Sequence, residues 1–375
     1  MSSMDPLPPG ATIGILGGGQ LGRMSTLAAA RLGYRCHVFA PDIDGPGMQV
    51  AAERTVAEYE DEAALARFAA AVDVVTFEFE NVPAATLAAL APLAPCRPGV
   101  EVLRICQDRL EEKRFLARAG VAVAPWRAVQ SEAELFQAIA EIGLPAVLKT
   151  TRLGYDGRGQ AVLRSAADAA AAYARLAPKP LILEGFVPFT AELSAIVARG
   201  VDGQVAVYDA VENRHRHHIL DLSFAPARVP AAVAAAARDN AARVAKALDL
   251  VGVLALEMFL LPDGRLLGNE IAPRPHNTGH WTMDGCIASQ FEQHIRAVAG
   301  LPLADSTRHH DVVMKNLVGP EGLALWPRLV ATPGVAPHLY GKAEARPGRK
   351  LGHANRLLPL GSLAVMDDAA ALEGL

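Results

Sequence analysis

The sequence predicts a mixed α/β and α+β architecture built from three consecutive parts. Over residues 1–105, short apolar strands alternate with helices, an order that is typical of a parallel sheet. Over residues 106–302, strands pair around Asp-Gly turns, which predicts an α+β domain with antiparallel hairpins. Residues 303–375 are punctuated by Pro and Gly and are mostly β-like, so a small β-rich C-terminal domain is expected. At about 100–200 residues per domain, 375 residues are enough for two or three domains.

The first domain is expected to begin with a buried strand over residues 11–16. Three glycines at 17–19 follow this apolar run and predict a tight turn into a helix over residues 20–32. The next predicted elements are strands at 36–40 and 72–77 and helices at 62–71 and 83–90.

The second domain is expected to open with a charged amphipathic helix over residues 108–119. Ser131, with Glu134 three residues on, is typical of a capped helix start, and that helix runs to residue 142. The strands expected after it are 146–149, 161–163, 181–184, 192–198, 204–210, 253–261 and 265–271, and the helices are 230–248 and 290–298.

Composition and charge exclude several classes of protein. Half of the residues are apolar, at 51%, so most of the chain can bury a core and is not disordered. The net charge is −4 and there is no basic block, which argues against nucleic-acid or membrane-surface binding. No apolar stretch predicts a membrane span, and the N-terminus lacks the pattern of a signal peptide. The 4 cysteines have neither CxxC nor metal-site spacing, which predicts a reduced, cytoplasmic protein.

A glycine-rich turn follows the first predicted strand. Gly17, Gly19 and Gly22 form G-x-G-x-x-G, and Asp42 stands at the end of the second predicted strand. This pattern matches the dinucleotide-binding fingerprint, in which the acid binds a ribose hydroxyl. Two other interpretations stay open at this point. The glycines serve a tight strand-to-helix turn, or the helix N-terminus binds some other phosphate.

A predicted hairpin brings two carboxylates together. If residues 263–264 form a two-residue turn, Glu257 lies directly opposite Glu270, with the two Cβ atoms about 5 Å apart. Two carboxylates in a half-buried sheet repel each other, and Mg²⁺ with phosphate oxygens would remove that cost. Oxygen ligands alone disfavour zinc and copper. The alternatives are that both side chains reach solvent or that the register slips by one residue.

A second glycine-rich segment, at 154–160, follows Lys149 at the end of a predicted strand. It is not a P-loop, because no G-K-[ST] follows. A mobile flap of this kind can close over a triphosphate, with Lys149 and Arg158 neutralising phosphoryl charge. A plain surface hairpin is the alternative.

Two further groups of polar side chains follow the acidic hairpin. The first group consists of Arg274, His276, Asn277, His280 and Trp281 and is expected to form the wall of a site. The second predicts an anion site, with a solvated basic loop as the alternative, and contains Lys342, Arg346, Arg349, Lys350 and His353.

Five motifs together resemble the ATP-grasp superfamily. They are GGGQLGRM (17–24), FEFENV (77–82), GYDGRGQ (154–160), NEIAPRPHNTGHWT (269–282) and RPGRKLGH (346–353). Within that superfamily they are most similar to the 5-(carboxyamino)imidazole ribonucleotide synthase family. The resemblance covers nearly the whole chain. It implies an ATP-grasp fold, with a parallel-sheet pre-ATP-grasp domain before it and a small β-rich domain after it.

The resemblance implies a ligase that uses ATP and bicarbonate to carboxylate the exocyclic amine of 5-aminoimidazole ribonucleotide (AIR). Carboxyphosphate is the implied intermediate, and purine biosynthesis is the implied pathway. ATP and Mg²⁺ are the implied cofactors of a cytoplasmic homodimer without nucleic-acid or membrane partners. The alternatives are a formate-dependent glycinamide ribonucleotide transformylase, an NAD-dependent oxidoreductase and a non-catalytic nucleotide sensor. The presence of both Glu257 and Glu270 weighs against the sensor.

The resemblance also assigns roles to individual residues. The implied nucleotide-binding residues are Arg109, Lys149, Gly154, Tyr155, Asp156, Gly157, Arg158, Gly159, Gln160, Glu184, Gly185, Phe186, Val187, Glu192, His215, Asn269 and Glu270. The implied AIR-binding residues are Gln20, Leu21, Glu78, Asp156, His276, Lys342, Arg349 and Lys350. The implied catalytic residues are Tyr155, Asp156, Arg158, Arg274 and Asn277.

Glu257 and Glu270 are the implied metal ligands. Many superfamily members carry Asn two residues after the second Glu, whereas this chain has Ala272, which leaves a third protein ligand open. The resemblance implies Glu78 or Asp156 as the residue that orients the AIR amine or takes its proton, and both assignments stay open.

Overall fold

The computed structural model describes residues 5–152, 154 and 159–375. Its first domain is a four-stranded parallel sheet with helices. Its strand order is β3-β2-β1-β4. Its elements are β1 (Thr12–Leu16), α1 (Gln20–Arg31), β2 (Arg35–Ala40), β3 (Glu53–Val56), α2 (Glu62–Ala70), β4 (Val74–Phe77), α3 (Ala84–Leu90) and α4 (Val100–Cys106). The parallel sheet was predicted, but β3 and α4 were not. β3 is a mostly exposed edge strand of sequence ERTV, which lacks the apolar run that identifies its neighbours.

The small lobe that follows is an antiparallel sheet of order β5-β8-β6-β7 with two helices packed on it. Its elements, after helix α5 (Arg109–Arg118), are β5 (Trp126–Val129), α6 (Glu132–Ile142), β6 (Ala146–Thr150), β7 (Gln160–Leu163), α7 (Ala166–Leu176) and β8 (Leu181–Gly185). The predicted cap of α6 is present, since the Ser131 side chain accepts a hydrogen bond from the Glu134 backbone N–H. The Glu134 carboxylate accepts from Gln130 N at 2.8 Å, one residue before the expected partner.

A nine-stranded antiparallel sheet forms the body of the molecule, in the order β14-β13-β9-β11-β12-β15-β17-β16 with β10 beside β9. The first set of its elements is β9 (Ala191–Arg199), β10 (Val205–Val207), β11 (Val211–Arg216), β12 (Ile219–Ala225), α8 (Ala231–Ala247), β13 (Gly252–Leu260), β14 (Leu266–Ala272), α9 (Thr282–Gly285) and α10 (Gln290–Ala299). The second set is β15 (Asp311–Val318), α11 (Gly319–Ala324), α12 (Trp326–Ala331), β16 (Val335–Leu339), β17 (Lys350–Leu358) and α13 (Asp368–Leu372). The C-terminal strands therefore extend the sheet of the preceding segment. Among the described residues, no helix is long and apolar enough to cross a membrane.

Helix α10 joins the first domain to the large sheet. Its apolar residues Phe291, Ile295 and Val298 belong to the same buried cluster as Ile13 of β1. On the same helix, the buried His294 places Nε2 2.9 Å from Thr76 Oγ1 of β4, and its Nδ1 accepts from Val253 N of β13 at 3.3 Å. Because Nδ1 is an acceptor, the imidazole is neutral and its remaining proton is on Nε2. One side chain therefore links the two sheets whose strand ends carry predicted site residues.

The neutral state of His294 predicts a pH-dependent stability. Burial lowers the pKa of His294 from its ordinary value of 6.5 to about 4. The unfolded chain therefore binds a proton that the folded chain does not, so this contribution to stability is complete above pH 6.5 and is lost as the pH falls towards 4. We expect His294 to account for about 2 kcal/mol of destabilisation between pH 7 and pH 5.

Melting temperatures of the wild type and of His294→Leu at pH 7 and pH 5 measure this effect. The variant should melt lower at pH 7, because Val253 N–H loses its acceptor, and should lose less stability on acidification. The exposed His309 provides the control variant His309→Leu, which should keep the wild-type pH dependence. If the melting temperature falls equally in His294→Leu and in the wild type between pH 7 and pH 5, His294 is not the source of the pH dependence.

Candidate active site

A cleft of about 1230 Å³ lies where the first domain, the small lobe and the large sheet meet. Most of the predicted site residues line it. These are Gln20, Leu21, Glu78, Arg109, Lys149, Gly154, Gln160, Glu192, His215, Glu257, Asn269, Glu270, Arg274, His276, Asn277, Lys342, Arg349 and Lys350.

Other predicted residues do not line the cleft or are not described. Gly159, Gly185, Phe186 and Val187 are described but are absent from the lining, and so is Glu184, whose side chain is buried. Four predicted residues of the flap lie outside the described residues, namely Tyr155, Asp156, Gly157 and Arg158. Of the predicted site wall, His280 and Trp281 are also absent from the lining and lie in the core, which corrects that prediction.

Glu257 lies directly opposite Glu270, as predicted, but the hairpin reaches this pairing by a different route. The predicted two-residue turn is wrong, because Leu261 N donates to Arg265 O and three residues lie between them, with Gly264 at φ 85°. That turn shifts the register by one residue. A β-bulge at Asn269 shifts it back, since Gly268 pairs with Met258 and Glu270 pairs with Glu257. The one-residue shift caused by the turn and the one-residue shift caused by the bulge cancel, so Glu257 and Glu270 are paired as predicted.

The two carboxylates repel each other. Burial, followed by the charge of Glu270, raises the pKa of Glu257 to about 8. The side chains are 19% and 39% exposed, so both can reach a ligand in the cleft. His276 lies beside them, with Nε2 3.4 Å from Glu257 Oε1. Burial and then the charge of Arg274 hold the pKa of His276 well below its ordinary value, so this imidazole is neutral.

The residues present fit a magnesium ion. Glu257 and Glu270 supply opposed oxygens, and the buried Asn269 Oδ1 has no hydrogen-bond partner among the residues that the structure describes. No group of three or more His, Cys, Asp or Glu residues within the described ranges could hold a metal. This set suits Mg²⁺, which keeps water and phosphate oxygens as its other ligands.

Cationic side chains stand next to the carboxylate pair. Arg109 places Nη1 3.2 Å from Glu270 Oε2, and its Nη2 donates to Gly154 O at 3.3 Å, where the predicted flap begins. Lys149 donates to Glu184 Oε2 at 3.0 Å. Although burial acts to raise it, the charges of Lys113 and Lys149 lower the pKa of Glu184 to about 2. The predicted phosphate-binding cations are therefore held in place by buried or half-buried carboxylates.

The glycine turn of the first domain binds a carboxylate of the protein itself. Glu78 accepts from Gly19 N at 2.6 Å and from Gly22 N at 2.9 Å. A Cβ atom at Gly17 would lie 2.6 Å from Glu78 Cγ, so this turn needs glycine in order to admit the side chain. Because Glu78 takes the amides that a pyrophosphate would use, the NAD interpretation of the motif is wrong. Asp42, the expected ribose ligand, accepts from Asp44 N in an exposed turn.

The C-terminal cations reach the same end of the cleft as Glu78. Lys342 donates to Lys350 O at 2.7 Å, and burial followed by the charge of Arg349 lowers the pKa of Lys342 to about 8. Two members of the predicted cationic group lie elsewhere. Arg346 is exposed and pairs with Glu344, and His353 is buried.

Several residues of the site were not singled out from the sequence. The Glu80 carboxylate forms two hydrogen bonds with the Arg274 guanidinium, one of them at 2.7 Å. Glu112 and Lys113 of α5 are buried, although that helix has the composition of an exposed one. A signal was present, because Arg109, Glu112 and Lys113 have i, i+3 and i+4 spacing and so share one helix face. The other unpredicted lining residues include Phe189, Phe259, Cys106, His217 and His218.

Comparison with known proteins agrees with this arrangement. The family model of the ribonucleotide synthetase preATP-grasp domain matches residues 10–107, and that of the ATP-grasp domain matches residues 114–291. The model of the phosphoribosylaminoimidazole carboxylase C-terminal domain matches residues 312–359. All three predicted parts of the fold class are thus represented.

Relatives match over most of their length. An N5-carboxyaminoimidazole ribonucleotide synthase of Brucella melitensis is 50% identical, covering 94% of this chain and 98% of that protein. The synthase of Bacillus subtilis is 46% identical, covering 92% and 91%. A solved N5-carboxyaminoimidazole ribonucleotide synthetase in complex with ADP has a TM-score of 0.93 and 44% identity, covering 99% of this chain and 97% of that one. An Aspergillus clavatus synthase with ADP and AIR has a TM-score of 0.88 and 32% identity, covering 94% of each. The chain belongs to the N5-carboxyaminoimidazole ribonucleotide synthase family of ATP-grasp ligases.

Proposed function

We propose that this protein carboxylates the exocyclic amine of AIR, using ATP and bicarbonate, to give N5-carboxyaminoimidazole ribonucleotide, ADP and phosphate in purine biosynthesis. The observation that carries the proposal is that one cleft joins a carboxylate pair with adjacent cations to a second cationic group near Glu78. The first half suits a magnesium nucleotide, and the second suits a phosphorylated cosubstrate. The Aspergillus relative, solved with ADP and AIR, supports the same pair of ligands.

The nucleotide half of the reaction is a phosphoryl transfer. A bicarbonate oxygen attacks the γ-phosphorus of ATP and the bond to the β-phosphate oxygen breaks, which gives carboxyphosphate and ADP. We assign Glu257 and Glu270, with Asn269 adjacent, as the residues that hold Mg²⁺. Bound Mg²⁺ would neutralise the negative charge of the phosphates. Lys149 and Arg109 add positive charge from the protein, and their carboxylate partners keep them oriented while the phosphates move.

The second half forms a C–N bond. The AIR amine attacks the carbon of carboxyphosphate, or of CO₂ released from it, phosphate leaves, and the amine loses a proton. We assign Arg274 and Asn277 to this side. The Arg274 guanidinium is fixed by Glu80, and both polar atoms of the Asn277 amide are buried without a hydrogen-bond partner in the described part of the chain. Such groups are available to a bicarbonate or a ribonucleotide.

The cations Lys342, Arg349 and Lys350 are assigned to AIR, since a monoester phosphate matches clustered ammonium and guanidinium groups. Glu78 lines the same cleft as these cations. Its two backbone hydrogen bonds hold the carboxylate in one orientation, which supports a role in positioning the AIR amine. Asp156 remains the alternative for this role.

The cellular setting belongs to the same proposal. We infer that the enzyme works in the cytoplasm as a homodimer, as implied by its family resemblance. All four cysteines are free, which supports a reducing compartment.

The experiment that tests the proposed function is phosphate release from ATP and Mg²⁺ with bicarbonate and AIR added separately and together. Strong release should require both, and it should accompany an acid-labile carboxylated product. Release that depends instead on formate and glycinamide ribonucleotide would move the protein to a different ligase class. No release in either case would overturn the proposal.

Removal of one charge from the proposed metal site should strongly reduce turnover. Glu270→Gln keeps the size of the side chain but removes a charge from the proposed magnesium site, so we expect kcat to fall about 100-fold or more while the fold persists. The change also breaks the ion pair with Arg109, which costs at most about 1 kcal/mol of stability at this half-exposed position. Turnover is measured at saturating Mg²⁺ together with the melting temperature. Unchanged turnover would sink the metal assignment.

Loss of a C-terminal cation should weaken AIR binding selectively. Lys342→Ala removes a charged donor from the proposed phosphate subsite, so the KM for AIR should rise about 10-fold or more, with a smaller change in the KM for ATP. Steady-state kinetics with each substrate varied in turn provide the measurement. Arg346→Ala, in the same segment but exposed and paired with Glu344, is the matched control. An equal effect on both substrates would refute this placement of AIR.

A further inference from the structure

Glu270 lies on β14, an edge strand of the large sheet. Strand β14 is the last strand on its side of the large sheet, so its outward backbone groups receive no partner from a further strand. The β-bulge at Asn269 interrupts pairing with β13 on the other side as well. Gly268, Glu270 and Ile271 still pair with β13, but Asn269 has no partner within the hairpin, so the bulge depends on groups from outside it.

Helix α5 and the segment after it supply the missing partners. Gly268 N donates to Ala122 O at 2.7 Å. The Lys113 ammonium donates to Asn269 O at 2.8 Å, and Glu112 Oε1 accepts from Ile271 N at 2.5 Å. The residues on both sides of Glu270 are thus bonded to two consecutive side chains of one helix.

These two side chains are almost completely enclosed. Glu112 is 2% exposed and Lys113 is 1% exposed. Burial of two ionisable groups is costly unless hydrogen bonds compensate for it, and an uncharged apolar pair could cover the same edge without that cost. Apolar side chains, however, could not bond the carbonyl of Asn269 and the amide of Ile271. The polarity of this helix face is therefore matched to the bulge and to Glu184, whose Oε2 lies 3.4 Å from Lys113 Nζ.

We propose that Glu112 and Lys113 are positioning residues for the metal-dependent reaction, holding the bulge at Asn269 so that the Glu270 carboxylate faces Glu257 across the hairpin. Because side chains alternate between the faces of a strand, a bulge that relaxed by one residue would turn Glu270 away from Glu257. Neither residue needs to touch a substrate. The inference rests on the proposed function, since it takes Glu257 and Glu270 to be the ligands of Mg²⁺.

Direct binding of Mn²⁺ in the presence of ADP tests the inference without turnover, with free Mn²⁺ measured by electron paramagnetic resonance. Glu112→Ala should weaken Mn²⁺ binding about 10- to 100-fold, as is typical when a group that orients a metal ligand is removed. Lys113→Met, which keeps the aliphatic chain but removes the donor, should weaken it similarly. Glu112→Gln keeps an oxygen acceptor for Ile271 N–H and should stay within about 3-fold of the wild type.

The matched control is Glu111→Gln on the same helix, where Glu111 forms a surface ion pair with Arg114. It should bind Mn²⁺ as the wild type does. A merely structural role predicts a lower melting temperature for Glu112→Ala and Lys113→Met with unchanged Mn²⁺ affinity in the folded fraction, and that result would overturn the inference. If Glu112→Ala does not fold, Lys113→Met decides by a larger loss of Mn²⁺ affinity than of ADP affinity, because Lys113 also pairs with Glu184 on the nucleotide side; an equal loss of both would overturn the inference.

Glu270→Gln separates this inference from the proposed function. If that variant binds Mn²⁺ as tightly as the wild type, the metal assignment itself fails and the inference fails with it. If Glu270→Gln loses Mn²⁺ while Glu112→Ala and Lys113→Met retain it, the inference alone is wrong. Loss of Mn²⁺ binding in all three variants, with binding kept in Glu112→Gln and Glu111→Gln, is the expected result.

Discussion

Two carboxylates face each other across strands β13 and β14, and their mutual repulsion is the constraint on which the rest of the site depends. Burial, followed by the charge of Glu270, raises the pKa of Glu257. A folded chain keeps such a pair only if other groups hold the backbone against it. Bonds from Lys113 to Asn269 O and from Ile271 N to Glu112 hold the backbone on both sides of Glu270, and Arg109 pairs with its carboxylate. The proposed Mg²⁺ site converts the same repulsion into affinity for a cation.

A second constraint is the position of the first domain relative to the large sheet, because the proposed cosubstrate lies between them. Helix α10 packs its apolar face on the first domain, and His294 bonds both sheets. The end of β4, which leads to Glu78, and β13, which carries Glu257, are thereby connected through buried groups. A cleft built from three parts of the chain keeps its geometry because these contacts are enclosed and fully bonded.

The glycine turn shows how one local motif can serve a different chemistry. In a dinucleotide-binding domain the free amides at a helix N-terminus bind a pyrophosphate. Here the carboxylate of Glu78 accepts from two of those amides, and the glycines admit its side chain. The local requirement for glycine is the same in both cases, which is why the motif alone could not distinguish them. The NAD interpretation leaves the acidic hairpin and the second glycine-rich segment without a role, and the contacts of Glu78 exclude it.

The sequence by itself determined the parallel first domain, the glycine turns, the cap at Ser131 and the family, and it predicted the opposition of Glu257 and Glu270 from a turn that proved wrong. Each of these depends on local pattern or on residues close together in the chain. It did not predict β3, β5, β11 and β12. These strands are short, polar or irregular in their hydrophobic pattern, and they form because neighbouring strands in the sheet pair with them. It also did not predict the bulge, the burial of Glu112 and Lys113, or the Glu80–Arg274 pair. The burial of Glu112 and Lys113 and the Glu80–Arg274 pair were decided by the tertiary structure, because each is a contact between segments far apart in the chain and no local pattern encodes the partner. The bulge lies within one hairpin, but the side chains bonded to it come from the distant helix α5.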